Sequence, residues 1–357
     1  MNVALTDLKS PLAATESEWR SNLERVLARA QFILGPELEA FESEFAQALN
    51  ASHAVGVGSG TAAIELCLRH AGIVNRTQQV ITTPLTAAFT GIAVLAAGAS
   101  IRFADVDPET LLLRVDHITA ETAAIIPVHL YGQPCDLDGL STLGVPLIQD
   151  ACQAHGADYQ GAAFTKISPY VAYSFYPTKN LGCLGDGGAI LTNDASIATS
   201  LRQLRDGGRV DAYVSARPGI NARLDEIQCC FLRAFLPHLK DWNARRARIA
   251  GYYDDALRGF EPVRPVLRRE AGVRHLYVVR AQNRDRLREH LGARGIGTGI
   301  HYPVPLHFQP AFQDCGAKAG DLPHAERACR EIMSLPLHPY MRESEAAYVL
   351  EQVRGFY

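Results

Sequence analysis

Short apolar runs alternate with helical patterns along the first half of the chain, and this feature most constrains the fold. Helical stretches such as 61–70 and 91–97 lie between several of the runs. Strands that alternate with helices are typical of βαβ units, so the pattern predicts an α/β protein with a mainly parallel sheet. The predicted strands are 53–57, 79–82, 100–103, 123–128, 145–149, 171–175 and 189–191.

The flanking segments predict helices and a second, smaller α/β unit. Residues 16–49 have a helical pattern broken at Gly35 and Pro36, and residues 223–258 have one interrupted at Pro237. A predicted strand at 275–280, a helix at 284–293 and the segment 296–302 follow. A chain of 357 residues is long enough for two domains. We therefore expect a large domain at 1–240 and a small C-terminal domain at 241–357.

The composition excludes several classes of protein. Hydrophobic residues make up 47% of the chain, which argues against disorder, and 35 basic residues nearly balance 38 acidic ones. The eight cysteines form no C-x-x-C pair, the N-terminus lacks a secretory pattern, and the most apolar stretch, 91–99, is too short to span a bilayer. We expect a cytoplasmic protein that binds neither nucleic acid nor membrane and holds no metal.

A glycine-rich turn follows the first predicted strand, in the segment V55-G-V-G-S-G-T-A-A-I-E-L. A helix beginning near Thr61 would present free N–H groups and a positive dipole end, and glycines let an anion approach the backbone. Threonine stands where a dinucleotide fingerprint needs its third glycine, and no G-K-[ST] follows for a P-loop. The segment is either a phosphate cradle or an ordinary tight turn.

Two further residues suggest what that phosphate belongs to. Asp150 ends an apolar strand in L147-I-Q-D-A-C-Q-A-H-G, where it can face a cationic heterocycle or cap a helix. We expect His155, in the same segment, to have a structural role. Lys179 follows a strand in S174-F-Y-P-T-K-N-L-G, where desolvation would free its amine, although an isolated lysine is usually a surface residue. Phosphate cradle, aspartate and lysine together match the phosphate, ring nitrogen and aldehyde of pyridoxal 5′-phosphate.

A series of motifs runs through most of the chain in a fixed order. They include F32-I-L-G-P, H53-A-V-G-V-G-S-G-T, I126-P-V-H-L-Y-G-Q, D150-A-C-Q-A-H-G-A, S174-F-Y-P-T-K-N-L-G, G187-G-A-I-L-T-N-D, G219-I-N-A-R-L-D-E-I-Q, W242-N-A-R-R, G299-I-H-Y-P-V-P-L-H and S334-L-P-L. In these motifs the chain resembles the DegT/DnrJ/StrS family of sugar aminotransferases. That resemblance implies the aspartate-aminotransferase (type I) fold, with a large domain holding pyridoxal 5′-phosphate.

The resemblance assigns catalytic and cofactor roles. Lys179 would be the Schiff-base lysine, Asp150 would pair with the pyridinium nitrogen, and Gln153 would contact the ring hydroxyl. The phosphate would be held by Gly60, Thr61 and Ser174 of one subunit and by Asn221 from the other subunit of a homodimer. An alternative role for Asn221 is to cap, within its own chain, the helix that starts near Leu224.

The sugar pocket is implied to include Tyr176, His301 and Tyr302. The chain departs from the family in the segment P84-L-T-A-A-F-T. The family usually has P-x-x-T followed by an aromatic residue, whereas here the threonine comes one residue earlier and is followed by Ala87. Phe89 is the candidate for stacking on the cofactor ring, and a core phenylalanine on a helix is the alternative.

The resemblance implies transfer of an amino group from L-glutamate to a nucleotide-linked keto sugar. The segment H301-Y-P-V-P-L-H-F-Q-P-A-F most resembles members that aminate the 3-keto position. Three alternatives stay open. One is sugar dehydration, against which Lys179 argues because dehydrating members carry His there. The others are amination of a cyclitol ketone with glutamine as donor, and a non-catalytic regulatory protein that binds pyridoxal 5′-phosphate.

Overall fold

A computed structural model describes residues 1–268 and 272–357 of the chain. Its helices are α1 Lys9–Ala14, α2 Glu16–Arg29, α3 Pro36–Ala48, α4 Gly60–His70, α5 Ala88–Ala97, α6 Leu137–Ser141, α7 Ala195–Leu204, α8 Glu226–Phe235, α9 Leu239–Leu257, α10 Arg284–Gly292, α11 Pro323–Glu331 and α12 Glu343–Arg354. Its strands are β1 His53–Val57, β2 Gln79–Thr82, β3 Ser100–Phe103, β4 Thr122–Ile125, β5 Gln149–Asp150, β6 Val171–Ser174, β7 Gly188–Thr192, β8 Val263–Pro265, β9 Tyr277–Ala281 and β10 Ile332–Leu335.

The large sheet has the strand order β3-β2-β4-β5-β6-β7-β1. Two ladders, β3-β2-β4 and β5-β6-β7-β1, are joined by isolated parallel bridges from Ile125 to Leu147 and from Val128 to Asp150. Strand β7 runs antiparallel to both β6 and β1, whereas the remaining pairs are parallel. The predicted mainly parallel α/β sheet is confirmed.

Most predicted boundaries agree with the structure, and two differences affect the site. Strands β1, β2 and β3 have the predicted bounds, but helix α5 begins at Ala88 rather than at residue 91, which places Phe89 and Thr90 on its first turn. The predicted strand at 145–149 is wrong, because β5 covers Gln149–Asp150 only. Pro146 lies in that run and has no N–H to donate to a neighbouring strand.

A second hydrophobic core lies between helix α9, helices α10 and α12, and the antiparallel sheet β10-β9-β8. Val3 packs in this core, and its backbone pairs with Ile296. Conversely, Leu306 and Phe312 come from the C-terminal part of the chain and pack in the core of the large sheet. Both cores therefore draw residues from either side of residue 240, and the division at that residue stays a prediction.

A buried ion pair fixes the strand that leads into the glycine-rich turn. The Glu42 carboxylate accepts a hydrogen bond from the Gly56 N–H at 2.8 Å and another from the Arg205 guanidinium. Arg205 also donates to the Gly56 carbonyl oxygen at 2.7 Å. Arg202 also donates to the other oxygen of the Glu42 carboxylate at 3.1 Å. Because Glu42 and Arg205 are both buried, loss of the Glu42 carboxylate would leave the Arg205 guanidinium without its counter-ion, which is strongly destabilising. The pair thus holds β1 in place before the turn.

No helix among residues 1–268 and 272–357 is both long enough and apolar enough to cross a membrane.

Candidate active site

A cleft of about 530 Å³ opens at the carboxyl ends of β1, β5 and β6 and is closed on one side by the segment 299–302. Polar groups at the carboxyl ends of parallel strands usually form the binding site of an α/β protein. All but one of the predicted site residues line this cleft: Gly60, Thr61, Phe89, Asp150, Gln153, Ser174, Tyr176, Lys179, His301 and Tyr302.

The first turn of α4 forms one end of the cleft. Ser59 caps the helix by accepting a hydrogen bond from the Ala62 N–H at 3.1 Å, while the N–H groups of Gly60 and Thr61 donate to no acceptor among the described residues. A Cβ atom on Gly60 would lie 2.8 Å from both Cys152 Sγ and Ser174 Cβ, so glycine is required by close packing. Free N–H groups at a positive helix end suit a phosphate.

Asp150 lies in the floor of the cleft and is 5% exposed. Its Oδ2 atom accepts a hydrogen bond from the Thr90 hydroxyl at 2.8 Å, and its Oδ1 atom accepts one from the Cys152 N–H at 3.1 Å. No helix begins directly after Asp150, so its alternative role as a helix cap is wrong. The carboxylate is fixed in a position that suits a cationic ring nitrogen.

Lys179 reaches the cleft from the loop after β6. Its backbone N–H donates to the Tyr176 carbonyl oxygen at 2.8 Å, and its side chain is half-buried in the wall of the cleft. Burial lowers the pKa of the Lys179 amine, although the nearby Cys152 and Asp150 act in the opposite direction. A larger fraction of the amine is therefore neutral near pH 7 than in an exposed lysine, which suits bond formation with an aldehyde.

Gln153 connects the floor of the cleft to the segment 299–302. Its Oε1 atom accepts a hydrogen bond from the Tyr131 N–H at 2.7 Å, and its Nε2 atom donates to the Tyr302 hydroxyl at 3.2 Å. Tyr131 has a φ of 59°, in the left-handed region that non-glycine residues rarely adopt. That backbone conformation directs its N–H to Gln153 while its hydroxyl donates to the His301 carbonyl oxygen.

His301 faces the cleft as a neutral imidazole. Its Nδ1 atom lies 2.8 Å from Ser334 Oγ, which fixes the ring. Burial, together with the positive charge of Lys179, lowers the pKa of His301 to about 4. At neutral pH the ring therefore carries no charge and can accept or donate a hydrogen bond.

Two exposed aromatic rings stand at the mouth of the cleft. Phe89 is 63% exposed on the first turn of α5, and Tyr176 is 53% exposed in the loop before Lys179. The alternative that Phe89 is a core phenylalanine is therefore wrong. Large apolar surfaces exposed at a cleft are typical of residues that contact a ligand.

Asn221 is the one predicted site residue that does not line the cleft of its own chain. Its side chain is exposed, and its backbone pairs with Asp206. Helix α8 begins at Glu226 with Asp225 as its N-cap, so the alternative that Asn221 caps this helix is wrong. The predicted role in a second subunit stays a prediction.

Several cleft residues were not singled out from the sequence. Thr86 and Thr90 lie on either side of the start of α5, at a spacing of four residues that brings their hydroxyls together. Arg246 and His275 line the far wall, where His275 Nδ1 lies 3.0 Å from Asn180 Oδ1. Arg246 belongs to the W242-N-A-R-R motif, and Asn180 follows Lys179 directly in another motif. The motifs could therefore have indicated these two residues, whereas their residue types alone could not.

A family model described as the DegT/DnrJ/EryC1/StrS aminotransferase family matches residues 14–354. The chain belongs to this family. It is an aminotransferase with the fold that the resemblance implied, and the sequence-based prediction of the family is confirmed.

Known relatives and solved structures agree with this assignment. This aminotransferase is 43% identical to dTDP-3-amino-3,4,6-trideoxy-alpha-D-glucose transaminase of Streptomyces venezuelae, over 99% of its chain and 95% of the relative. It is 38% identical to a pleiotropic regulatory protein of Geobacillus stearothermophilus, over 100% and 99%. The crystal structure of S. venezuelae DesV in complex with a ketimine intermediate matches with a TM-score of 0.96 at 40% identity, over 99% of this chain and 98% of that chain.

Gly60→Ala tests the prediction that the first turn of α4 holds a phosphate. The added Cβ would meet Cys152 Sγ and Ser174 Cβ at 2.8 Å, so the first turn of α4 must shift away from its position. We expect the affinity for pyridoxal 5′-phosphate to fall at least tenfold, measured by equilibrium dialysis, because the N–H groups move with the turn.

Gly251→Ala is the matched control for Gly60→Ala. Gly251 lies inside helix α9, and a Cβ there meets no atom within 4 Å. Alanine should leave the affinity unchanged and raise the free energy of unfolding by about 0.5–1 kcal/mol. Equal affinities for the cofactor in the wild type and Gly60→Ala would contradict the phosphate-binding role of this turn.

Proposed function

We propose that this aminotransferase uses pyridoxal 5′-phosphate to move an amino group from L-glutamate to the 3-keto position of a nucleotide-linked keto sugar. One observation carries the cofactor assignment: the Lys179 amine, the Asp150 carboxylate and the free N–H groups of α4 line a single cleft. These groups match the three chemical ends of the cofactor. A cytoplasmic location is part of the proposal and rests on the sequence alone.

The residues of the cleft fit this cofactor. Gly60, Thr61 and Ser174 would hold its phosphate, and Asp150 would face its ring nitrogen. Gln153 would contact its ring hydroxyl, and Phe89 would cover its ring. When bound, the cofactor supplies an electron sink for the carbon that carries the transferred amino group.

Lys179 would act as the general acid and base of the reaction. Its lowered pKa leaves part of the amine neutral, so it can take the proton from the carbon that carries the amino group of the donor. It would return a proton to the carbon of the keto sugar in the second half of the reaction. Asp150, fixed by Thr90 and the Cys152 N–H, would face the ring nitrogen on the far side of the site.

The substrate class is supported by the name of the S. venezuelae relative, which is a transaminase for a 3-amino sugar linked to dTDP. Tyr176, His301 and Tyr302 line the mouth and wall of the cleft, where they would contact the sugar. The G. stearothermophilus relative is named a pleiotropic regulatory protein, so a regulatory function is the alternative. Lys179 and Asp150 line the same cleft, which favours an enzyme over a binding protein. A cyclitol ketone stays an alternative acceptor.

Amination of a panel of nucleotide-linked 3-keto and 4-keto sugars tests the proposed function. We expect consumption of L-glutamate that depends on a 3-keto sugar, and a 3-amino product identified by nuclear magnetic resonance. Lys179→Ala is the control and should form no product. Amination at the 4-position alone would contradict the regiochemistry, and an absence of glutamate consumption with every ketone, including cyclitol ketones, would favour the regulatory alternative.

Reduction with borohydride tests the role of Lys179. The purified protein should be yellow, and reduction should attach the cofactor to the peptide that contains Lys179, because its amine lies in the cleft with a lowered pKa. Peptide mapping by mass spectrometry reports the site. Lys166 is an exposed lysine that serves as an internal control. A label on Lys166 in preference to Lys179 would refute the assignment.

Subunit complementation tests the proposed homodimer and the role of Asn221. A C2 dimer would place two equivalent sites at a shared interface. Lys179→Ala should be inactive and Asn221→Ala strongly impaired. In a mixed dimer, the site with an intact Lys179 would receive an intact Asn221 from its partner, so coexpression should restore activity.

If Asn221 instead acts within its own chain, each site of the mixed dimer carries one defect. Activity would then stay as low as in the separate variants, and the shared site would be excluded. Size-exclusion chromatography of each variant is the control that the oligomeric state is unchanged.

A further inference from the structure

Two threonine hydroxyls form a chain that ends on the Asp150 carboxylate. Thr90 Oγ1 lies 2.8 Å from Asp150 Oδ2, and Thr86 Oγ1 lies 3.2 Å from Thr90 Oγ1. The exposed fractions are 2% for Thr86, 3% for Thr90 and 5% for Asp150, so water competes little for these bonds. A hydrogen bond to a charged group in such surroundings is stronger than one between neutral groups.

The direction of the proton in each bond follows from the number of donors. A threonine hydroxyl has one proton, and an ionised carboxylate only accepts. Thr90 therefore gives its proton to Asp150, and the bond between the two hydroxyls must be donated by Thr86. Each donated bond polarises the next one, so Thr86 strengthens the bond that Thr90 makes.

The chain fixes the orientation of the carboxylate. The Cys152 N–H donates to Oδ1 from the loop after β5, while Thr90 donates to Oδ2 from helix α5. With one donor on each oxygen from two separate elements, rotation of the carboxylate about its Cβ–Cγ bond would break both bonds. The orientation that Asp150 presents to the cleft is thus set by its neighbours.

Helix capping does not account for the two hydroxyls. The N-cap of α5 is Ala87, which provides no side-chain hydrogen bond, and neither threonine replaces it as a cap. Thr90 lies within the first turn, where threonine has a lower helix propensity than alanine. The feature that uses its hydroxyl is the contact with Asp150.

We propose that Thr90 is a positioning residue for Asp150 and that Thr86 is its supporting donor. The inference rests on the proposed function, in which Asp150 faces the ring nitrogen of pyridoxal 5′-phosphate. Thr90 acts through Asp150: it holds the carboxylate in the orientation that meets a ring nitrogen and keeps it from turning away.

Three variants test the proposal. Thr90→Val keeps the shape of the side chain and removes the hydroxyl, whereas Thr90→Ser keeps the hydroxyl. Thr82→Val is the matched control, because Thr82 is fully buried and its hydroxyl donates to the Ile126 carbonyl oxygen at 3.0 Å, outside the cleft. Circular dichroism and thermal unfolding of each variant report whether it folds. If Thr90→Val does not fold, Thr86→Val tests the same chain of hydrogen bonds one step further from Asp150.

The first measurement is binding, by equilibrium dialysis, of pyridoxal 5′-phosphate and of its 1-deaza analogue, which lacks the ring nitrogen. The wild type should bind the natural cofactor more tightly than the analogue. The quantity compared is the affinity for the natural cofactor divided by the affinity for the analogue. Thr90→Val should reduce this ratio about tenfold, and Thr86→Val should reduce it less. Thr90→Ser and Thr82→Val should keep it near the wild-type value.

The second measurement is the rate at which L-glutamate alone changes the absorbance of the bound cofactor. Loss of a hydrogen bond to a charged group should slow this half-reaction in Thr90→Val by about tenfold to a hundredfold. Thr90→Ser should recover most of the rate. Thr82→Val should keep the wild-type rate even if it unfolds at a lower temperature.

The outcomes distinguish the proposed contact of Asp150 with the ring nitrogen from the positioning role of Thr90. A wild type that binds the two cofactors equally would show that Asp150 does not meet the ring nitrogen, which would overturn that part of the proposed function and the role of Thr90 with it. A wild type that discriminates, together with a Thr90→Val variant that discriminates as strongly, would overturn the positioning role alone. Equal losses in Thr90→Val and Thr82→Val would also overturn it.

Discussion

The direction of strand β7 determines where the active site lies. Because β7 is antiparallel to both β6 and β1, those two strands run in the same sense and end at the same edge of the sheet. Strands β2, β4 and β5 join them there through parallel pairing. The turn before α4, the Asp150 carboxylate and the Lys179 loop are distant in sequence, yet each follows one of these strand ends.

Much of the fold and the centre of the site could be predicted from the sequence. Strand and helix periodicity located β1 to β3 and α4 almost without error, because apolar runs flanked by turns have few other interpretations. Asp150 was identified at the end of one apolar run, and Lys179 was identified in the loop that follows the next one. The predicted strand at 145–149 failed because periodicity does not register the missing N–H of Pro146, whose effect depends on the neighbouring strand.

Other parts of the site depend on contacts between distant elements, which local patterns do not contain. Thr90 looks like an ordinary helix residue until the start of α5 at Ala88 and the position of Asp150 are both known. Tyr131 is likewise defined by its left-handed backbone and by partners near residues 153 and 301. Asn221 differs again, because its predicted partner belongs to a second copy of the chain.

The hydrogen bonds around Gln153 close into a ring. Its Oε1 atom accepts the Tyr131 N–H, and its Nε2 atom donates to the Tyr302 hydroxyl. Tyr131 in turn donates through its own hydroxyl to the carbonyl oxygen of His301, the residue bonded to Tyr302. A substitution that removes one member of this ring would therefore release the wall of the cleft at 301–302 as a unit and not one side chain alone.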